Sequence, residues 1–196
     1  MKIDVSNIEG TRCYCSDESA EQIRSLVKAM PLEDIHLLGS GDYHYLTLFW
    51  SERIEQDFVL LLIDKHSDRQ ESAFGDILSC GSWVNKVLAL PHCKSLLWID
   101  GQGETHGHLE EGLPMYISVD IDALSTDYAH TNWDQGTLSL EFVLKSILKY
   151  SEGHNIIGAD ICGSAADGAS ANSIKLNDET IRTIEATLRS LLPSNH

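Results

Sequence analysis

The chain has 196 residues, 42% of them hydrophobic and 22% charged, with 30 acidic against 14 basic side chains and a formal net charge of −16. That balance excludes a disordered polyelectrolyte, and the acidic excess repels phosphate backbones and anionic lipid, so neither nucleic acid nor a membrane is an expected partner. Five scattered cysteines argue against a disulfide framework; with no apolar run near the ~20 residues that span a bilayer and no apolar leader, the expectation is one cytoplasmic domain over 1–196.

In chain order, short apolar runs rich in β-formers are predicted as strands at 11–15, 35–39, 58–64, 95–100, 115–122 and 155–161. Several are apolar almost throughout, as parallel strands covered on both faces are. Helical spacing appears between them. Ile23, Leu26, Val27 and Met30 precede Pro31, and Leu140, Val143, Leu144, Ile147 and Leu148 repeat the pattern. Ile181, Ile184, Leu188 and Leu191 do so again, with Asn177 as the expected N-cap. Strands alternating with helices predict an α/β three-layer sandwich with a mainly parallel sheet. The Gly-rich segments 101–114 and 163–173 follow strands, and in such sheets ligands bind beyond the strands' carboxyl ends.

The chemistry-bearing segments cap two of these strands. LLIDKHSDRQ carries Asp64, His66 and Asp68 at spacing two, and YISVDIDALSTD carries Asp120 and Asp122. In extended chain that spacing puts the side chains on one side. Four carboxylates and an imidazole converging on one crevice repel one another when unpaired, and two divalent cations remove that penalty. LLGSGDYHYLT follows another strand and offers His44 as a further nitrogen ligand, with Asp42 expected to orient it.

GSGDYH, DKHSD and SVDIDALSTD, in that order, resemble the Gly-Gly-Asp-His, Asp-x-His-x-Asp and Ser-x-Asp-x-Asp motifs of the arginase/agmatinase (ureohydrolase) family; TNWDQGTLSLEFV and GADICG resemble later segments of the same family. The resemblance runs from about residue 35 to 165 and implies an arginase-like fold holding a pair of manganese-type ions. His44, Asp64, Asp68 and Asp120 would hold the first ion; Asp64, His66, Asp120 and Asp122 would hold the second, with Asp64 and Asp120 bridging. A carboxylate-rich shell suits manganese better than zinc. It further implies a hydrolase in which a metal-bridging hydroxide attacks an sp2 carbon and cleaves a C–N bond of a small guanidino, amidino or amide compound. Asp68 would be catalytic, accepting a hydrogen bond from the hydroxide and passing a proton to the leaving nitrogen.

Departures from the family pattern bear on the substrate. Tyr43 is inserted before His44, SCGSWV brings Ser82 and Trp83 where arginases carry a proton-shuttling His-Gly, and Gly163 stands where the family places a guanidinium-binding glutamate. His130 and Asp167 are candidate substrate-binding residues in compensation. Asp134 is a further candidate near the second motif, His106 and His108 could close over the site, and Trp83 and Trp133 could wall it. Three readings stand: a ureohydrolase-type enzyme on a small-molecule substrate, a deacetylase-like amidohydrolase on the same fold, and a non-catalytic metal-binding or interaction relative. A homo-oligomer stays open.

Overall fold

A computed structural model describes residues 1–71, 75–165 and 168–193. The elements in chain order are β1 (Tyr14–Cys15), α1 (Asp17–Lys28), β2 (Ile35–Gly39), a 3-10 turn (Gly41–Tyr43), α2 (Leu46–Ser51), β3 (Phe58–Ile63), β4 (Leu78–Ser79) and α3 (Trp83–Leu88). There follow β5 (Cys93–Ile99), β6 (Thr105–Gly107), β7 (Met115–Asp120), a second 3-10 turn (Ile121–Ala123), α4 (Leu140–Ser151), β8 (Ile156–Cys162) and α5 (Ala171–Arg189). The long helices carry the expected end chemistry. The hydroxyls of Ser16, Ser139 and Ser170 accept the amides of Ser19, Phe142 and Ser173, and a basic residue stands in each last turn.

The main sheet runs β2-β8-β7-β3-β5-β6, parallel from β2 to β5, with β6 antiparallel at the edge. The central strands β3 (FVLLLI) and β7 (MYISVD) are buried at every residue, so both faces must be covered. On one face Ile23, Phe49, Trp50 and Trp83 of α1, α2 and α3 pack onto the sheet. On the other, Val143, Ile147, Ile184 and Leu188 of α4 and α5 do so. This is the three-layer α/β sandwich that the strand–helix alternation predicts. No helix among the described residues is long and apolar enough to cross a membrane.

Several local expectations are corrected. The first expected strand shrinks to Tyr14–Cys15 and lies outside the main sheet, paired antiparallel with β4. The 101–114 segment contains β6, which pairs back onto β5. Helix α5 is N-capped by Ser170 rather than Asn177; Asn177 is an interior residue, 1% exposed. Helix α2 was missed because LTLFWS is buried all round and has no polar face to mark a period.

Candidate metal centre

The carboxyl ends of β3 and β7 lie side by side in the sheet, with Ile63 opposite Val119. Asp64 is the first residue past β3, so the chain leaves extended geometry there rather than carrying Asp64, His66 and Asp68 along one side of a strand. The turn is held by Asp64 itself, whose Oδ1 accepts the His66 amide at 2.6 Å, and by Asp68 in the left-handed region at φ 48°. Asp120 ends β7 and its Oδ1 accepts the Asp122 amide at 2.9 Å, which starts the second 3-10 turn. His44 caps the first 3-10 turn, which absorbs the inserted Tyr43.

These turns bring all six expected ligands to one place. His44 Nδ1 lies 3.0 Å from Asp64 Oδ2, 3.3 Å from Asp68 Oδ2 and 3.6 Å from Asp120 Oδ2. His66 Nδ1 lies 3.0 Å from Asp122 Oδ2 and 3.6 Å from Asp64 Oδ1. Asp64 thus gives one oxygen to each histidine. Two triads of ligand atoms, His44–Asp64–Asp68 and Asp64–His66–Asp122, could each hold a metal ion. Asp120 groups with His44 and the buried Cys162 rather than with His66; the Cys162 thiol is directed to the Ser40 carbonyl at 3.2 Å. All of these residues are buried except His66, whose side chain is 30% exposed.

The outer nitrogens settle what the inner ones can do. Ser118 Oγ donates to Asp160 Oδ1 at 2.6 Å, so it accepts from His44 Nε2 at 2.9 Å. Likewise His66 Nε2 donates to Asp134 Oδ1 at 2.8 Å. Each ring is held with its Nε2 proton outward and its Nδ1 turned toward carboxylates, the arrangement of an imidazole poised to bind a cation. Expected as the partner of His44, Asp42 is engaged elsewhere: it accepts from Arg12, Asn132 and Trp133.

Electrostatics give the same answer. Burial, reinforced by Asp64, pushes the Asp120 carboxyl up to about 7, and burial with Asp120 and Asp64 holds Asp122 well above the usual carboxylate range. Asp68 is raised by burial and Asp64. Asp64 goes the other way: burial opposes its ionisation, but hydrogen bonds from His44 and His66 outweigh it. Contact with Asp122 and Asp64 raises His66 to about 11. The site lacks positive charge and recruits it from its own histidines. An all-oxygen-and-imidazole donor set with this deficit fits divalent cations of the manganese or magnesium type.

A pocket of about 260 Å3 opens onto this cluster. Its other walls include Cys13, Tyr14, Gly41, Gln70, Cys80 and Trp133, all uncharged. Trp133 packs over Gly41, where a Cβ would meet its indole at 2.6 Å. Trp83 lies behind the ligands, fully buried, and its Nε1 donates to Asp68 Oδ2 at 2.6 Å. Neighbouring Ser82 is also buried and accepts from Ser79. Gly163, at φ 96°, packs against the candidate ligand cluster so tightly that a Cβ would stand 2.4 Å from Asp120 Oδ1.

Other expectations are not met. His130 does not line the pocket; its backbone is held by Asn177 and its ring contacts Ser173 of α5. His106 and His108 lie at the β6 edge rather than over the site, with His106 stacked on Trp98 and paired with Asp100 at 2.9 Å. Asp167 falls outside the described residues. Sequence reading missed Ser118 and Asp160 as positioning groups, although they sit opposite each other across β7 and β8, and their strand alternation points them to one face. Nothing local marks Cys13 and Tyr14, which reach the pocket from a distant part of the chain.

No protein-family model matches the chain. An uncharacterized protein of Thermotoga maritima is 32% identical over 170 residues, covering 80% of this chain and 68% of that protein. The chain belongs to that protein's family. Among solved structures, formimidoylglutamase from Bacillus subtilis superposes with a TM-score of 0.65 at 16% identity, over 90% of this chain and 68% of that one. Proclavaminate amidino hydrolase from Streptomyces clavuligerus gives 0.64 at 15%, over 87% and 69%. A triple mutant of the T. brucei arginase-like protein bound with Mn2+ gives 0.62 at 16%, over 97% and 71%. The fold is that of the ureohydrolases. On this arginase-like frame five of the six candidate ligands end or follow the central strands β3 and β7 and His44 follows the edge strand β2, all at the carboxyl ends where parallel sheets bind ligands.

Proposed function

We propose that this arginase-like chain is a hydrolase carrying two divalent ions, of manganese type, that cleaves a C–N bond in a small neutral amide. The observation that carries this reading is the orientation of the two histidines, each with Nε2 tied outward and Nδ1 facing carboxylates that share Asp64. His44, Asp64, Asp68 and Asp120 would hold one ion and Asp64, His66, Asp120 and Asp122 the other. When bound, such a pair supplies a water of lowered pKa and polarises the carbon under attack.

The chain's own residues do the rest. Asp68 takes a proton from the attacking water and delivers it to the leaving nitrogen, while the Trp83 indole holds one of its oxygens in place. Trp133 and Tyr14 form the rim of the pocket and Gln70 offers an amide for a polar substrate group. The substrate class follows from the uncharged walls. A buried guanidinium without a partner costs several kcal/mol. Gly163 leaves no room for a carboxylate beside Asp120. This favours an amide-cleaving reading over arginase or agmatinase activity.

The test is an amine- and ammonia-release screen with manganese-loaded protein on neutral amides, amidines, arginine and agmatine, with Asp68→Asn as the control. The expected result is turnover of a neutral compound that Asp68→Asn loses, with little or no urea from arginine or agmatine. Efficient urea release would overturn the substrate assignment. No turnover of any compound by fully loaded protein would favour a non-catalytic relative.

A further inference from the structure

Of the five free cysteines, Cys15, Cys93 and Cys162 are buried, and only Cys13 and Cys80 are partly open. Both of these line the pocket above the ligand cluster. They are also partners in space. The β1–β4 register pairs Tyr14 with Ser79 and Cys15 with Leu78, and one step further it sets Cys13 opposite Cys80, whose amide donates to the Cys13 carbonyl at 2.9 Å. That backbone hydrogen bond, together with a side-chain hydrogen bond between the two cysteines, brings them to the close approach a disulfide needs.

We propose that Cys13 and Cys80 form a reversible disulfide across the mouth of this pocket, a redox clasp joining β1 to β4. Neither thiol is given another task by the metal site. Their side chains interact: burial and then Asp42 raise the Cys13 thiol, and Arg12 and the Cys80 side chain offset only part of that rise. Burial pushes Cys80 up to about 12, with Cys13 adding to the rise. Cys13 is therefore the thiol that reacts first, and slowly, because burial suppresses both. With hydrogen peroxide as oxidant, Cys13 sulfur takes one peroxide oxygen to become a sulfenic acid, and the other oxygen leaves as water. The Cys80 sulfur then attacks the Cys13 sulfur, the S–S bond forms, and the hydroxyl departs with the Cys80 proton as a second water. A dithiol reductant reverses the bond by exchange.

Cys13 itself adopts a left-handed backbone, at φ 61°, just before β1. Cys15 is no competitor. It is buried opposite Leu78.

The experiment treats purified, metal-free protein with hydrogen peroxide, counts thiols after denaturation and maps the linked peptides. The expected count falls from five to three, a single Cys13–Cys80 peptide appears, and a dithiol restores five. Cys93→Ser should fall from four to two and Cys13→Ser should stay at four, whereas Cys80→Ser should lose Cys13 to a sulfenic acid without forming a linked peptide. A count that stays at five, or a bridge involving Cys15, Cys93 or Cys162, would overturn the proposal, and the wild-type peptide map decides it even where a variant fails to fold. Because the bridge would narrow access to the ligand cluster, oxidation of manganese-loaded protein should slow transfer of Mn2+ to a chelator several-fold, and an unchanged rate would mean that the bridge does not restrict access. Protein that takes up no Mn2+ would count against the metal reading, while the thiol count still tests the clasp.

Discussion

Trp83 shows how much a single side chain can decide. Its indole donates a short hydrogen bond to a buried carboxylate, and such charge-assisted bonds contribute about 1.5–3 kcal/mol. Trp83→Phe keeps the volume but leaves Asp68 Oδ2 without that donor. The expected outcome is a loss of roughly that size in stability, together with weaker Mn2+ binding, both measurable by chemical unfolding and metal titration. Unchanged affinity would mean that Asp68 is held by His44 alone. The six candidate ligands were legible because carboxylates and histidines at the ends of apolar strands are costly without a reason. The role of Trp83 was not, because an indole in an apolar neighbourhood reads as packing, and only the fold brings Asp68 and Trp83, 15 residues apart, into contact. Asp42 misled for the same reason: adjacency to His44 in sequence suggested a pairing that the 3-10 turn prevents.

At the scale of elements, the sheet was legible from its buried apolar runs, and the two-residue strands β1 and β4 were not, because two residues carry no periodicity. Their pairing nonetheless forms one wall of the pocket. Helix α5 gives a sharper lesson. Asn177 resembles an N-cap by residue type, yet Ser170 caps the helix and Asn177 turns inward to hold the 130 loop through His130 N and O at 2.7 and 3.0 Å. Asn177→Ala leaves both backbone groups without their side-chain partner and should cost about 2 kcal/mol. His130→Ala, by contrast, should leave metal binding intact. Thermal melts with and without Mn2+ check both; a loss of metal response in His130→Ala would return that residue to the site.

For the molecule as a whole, the concentration of negative charge at one end of the sheet sets a conflict between folding and function. Asp120 is raised to about 7 by burial and then by Asp64, from a reference value of 3.8. A carboxyl that binds its proton more tightly when folded contributes stability that is complete below the unfolded value and lost as pH rises through the folded one. In metal-free protein, Asp120→Asn stays neutral, so it should gain on wild type between pH 3.8 and about 7. The gain is several kcal/mol at the upper end. Urea unfolding of both proteins across that window measures it, and parallel pH profiles would show that Asp120 is not held neutral in the metal-free protein. Manganese should reverse the ranking, since binding to the folded state stabilises wild type and the asparagine variant loses a ligand. The most direct test of the whole account is elemental analysis of protein saturated with manganese and freed of excess ion. Two triads sharing Asp64 predict about two ions per chain, falling to one or fewer in Asp64→Ala; a value near zero in the wild type would contradict it.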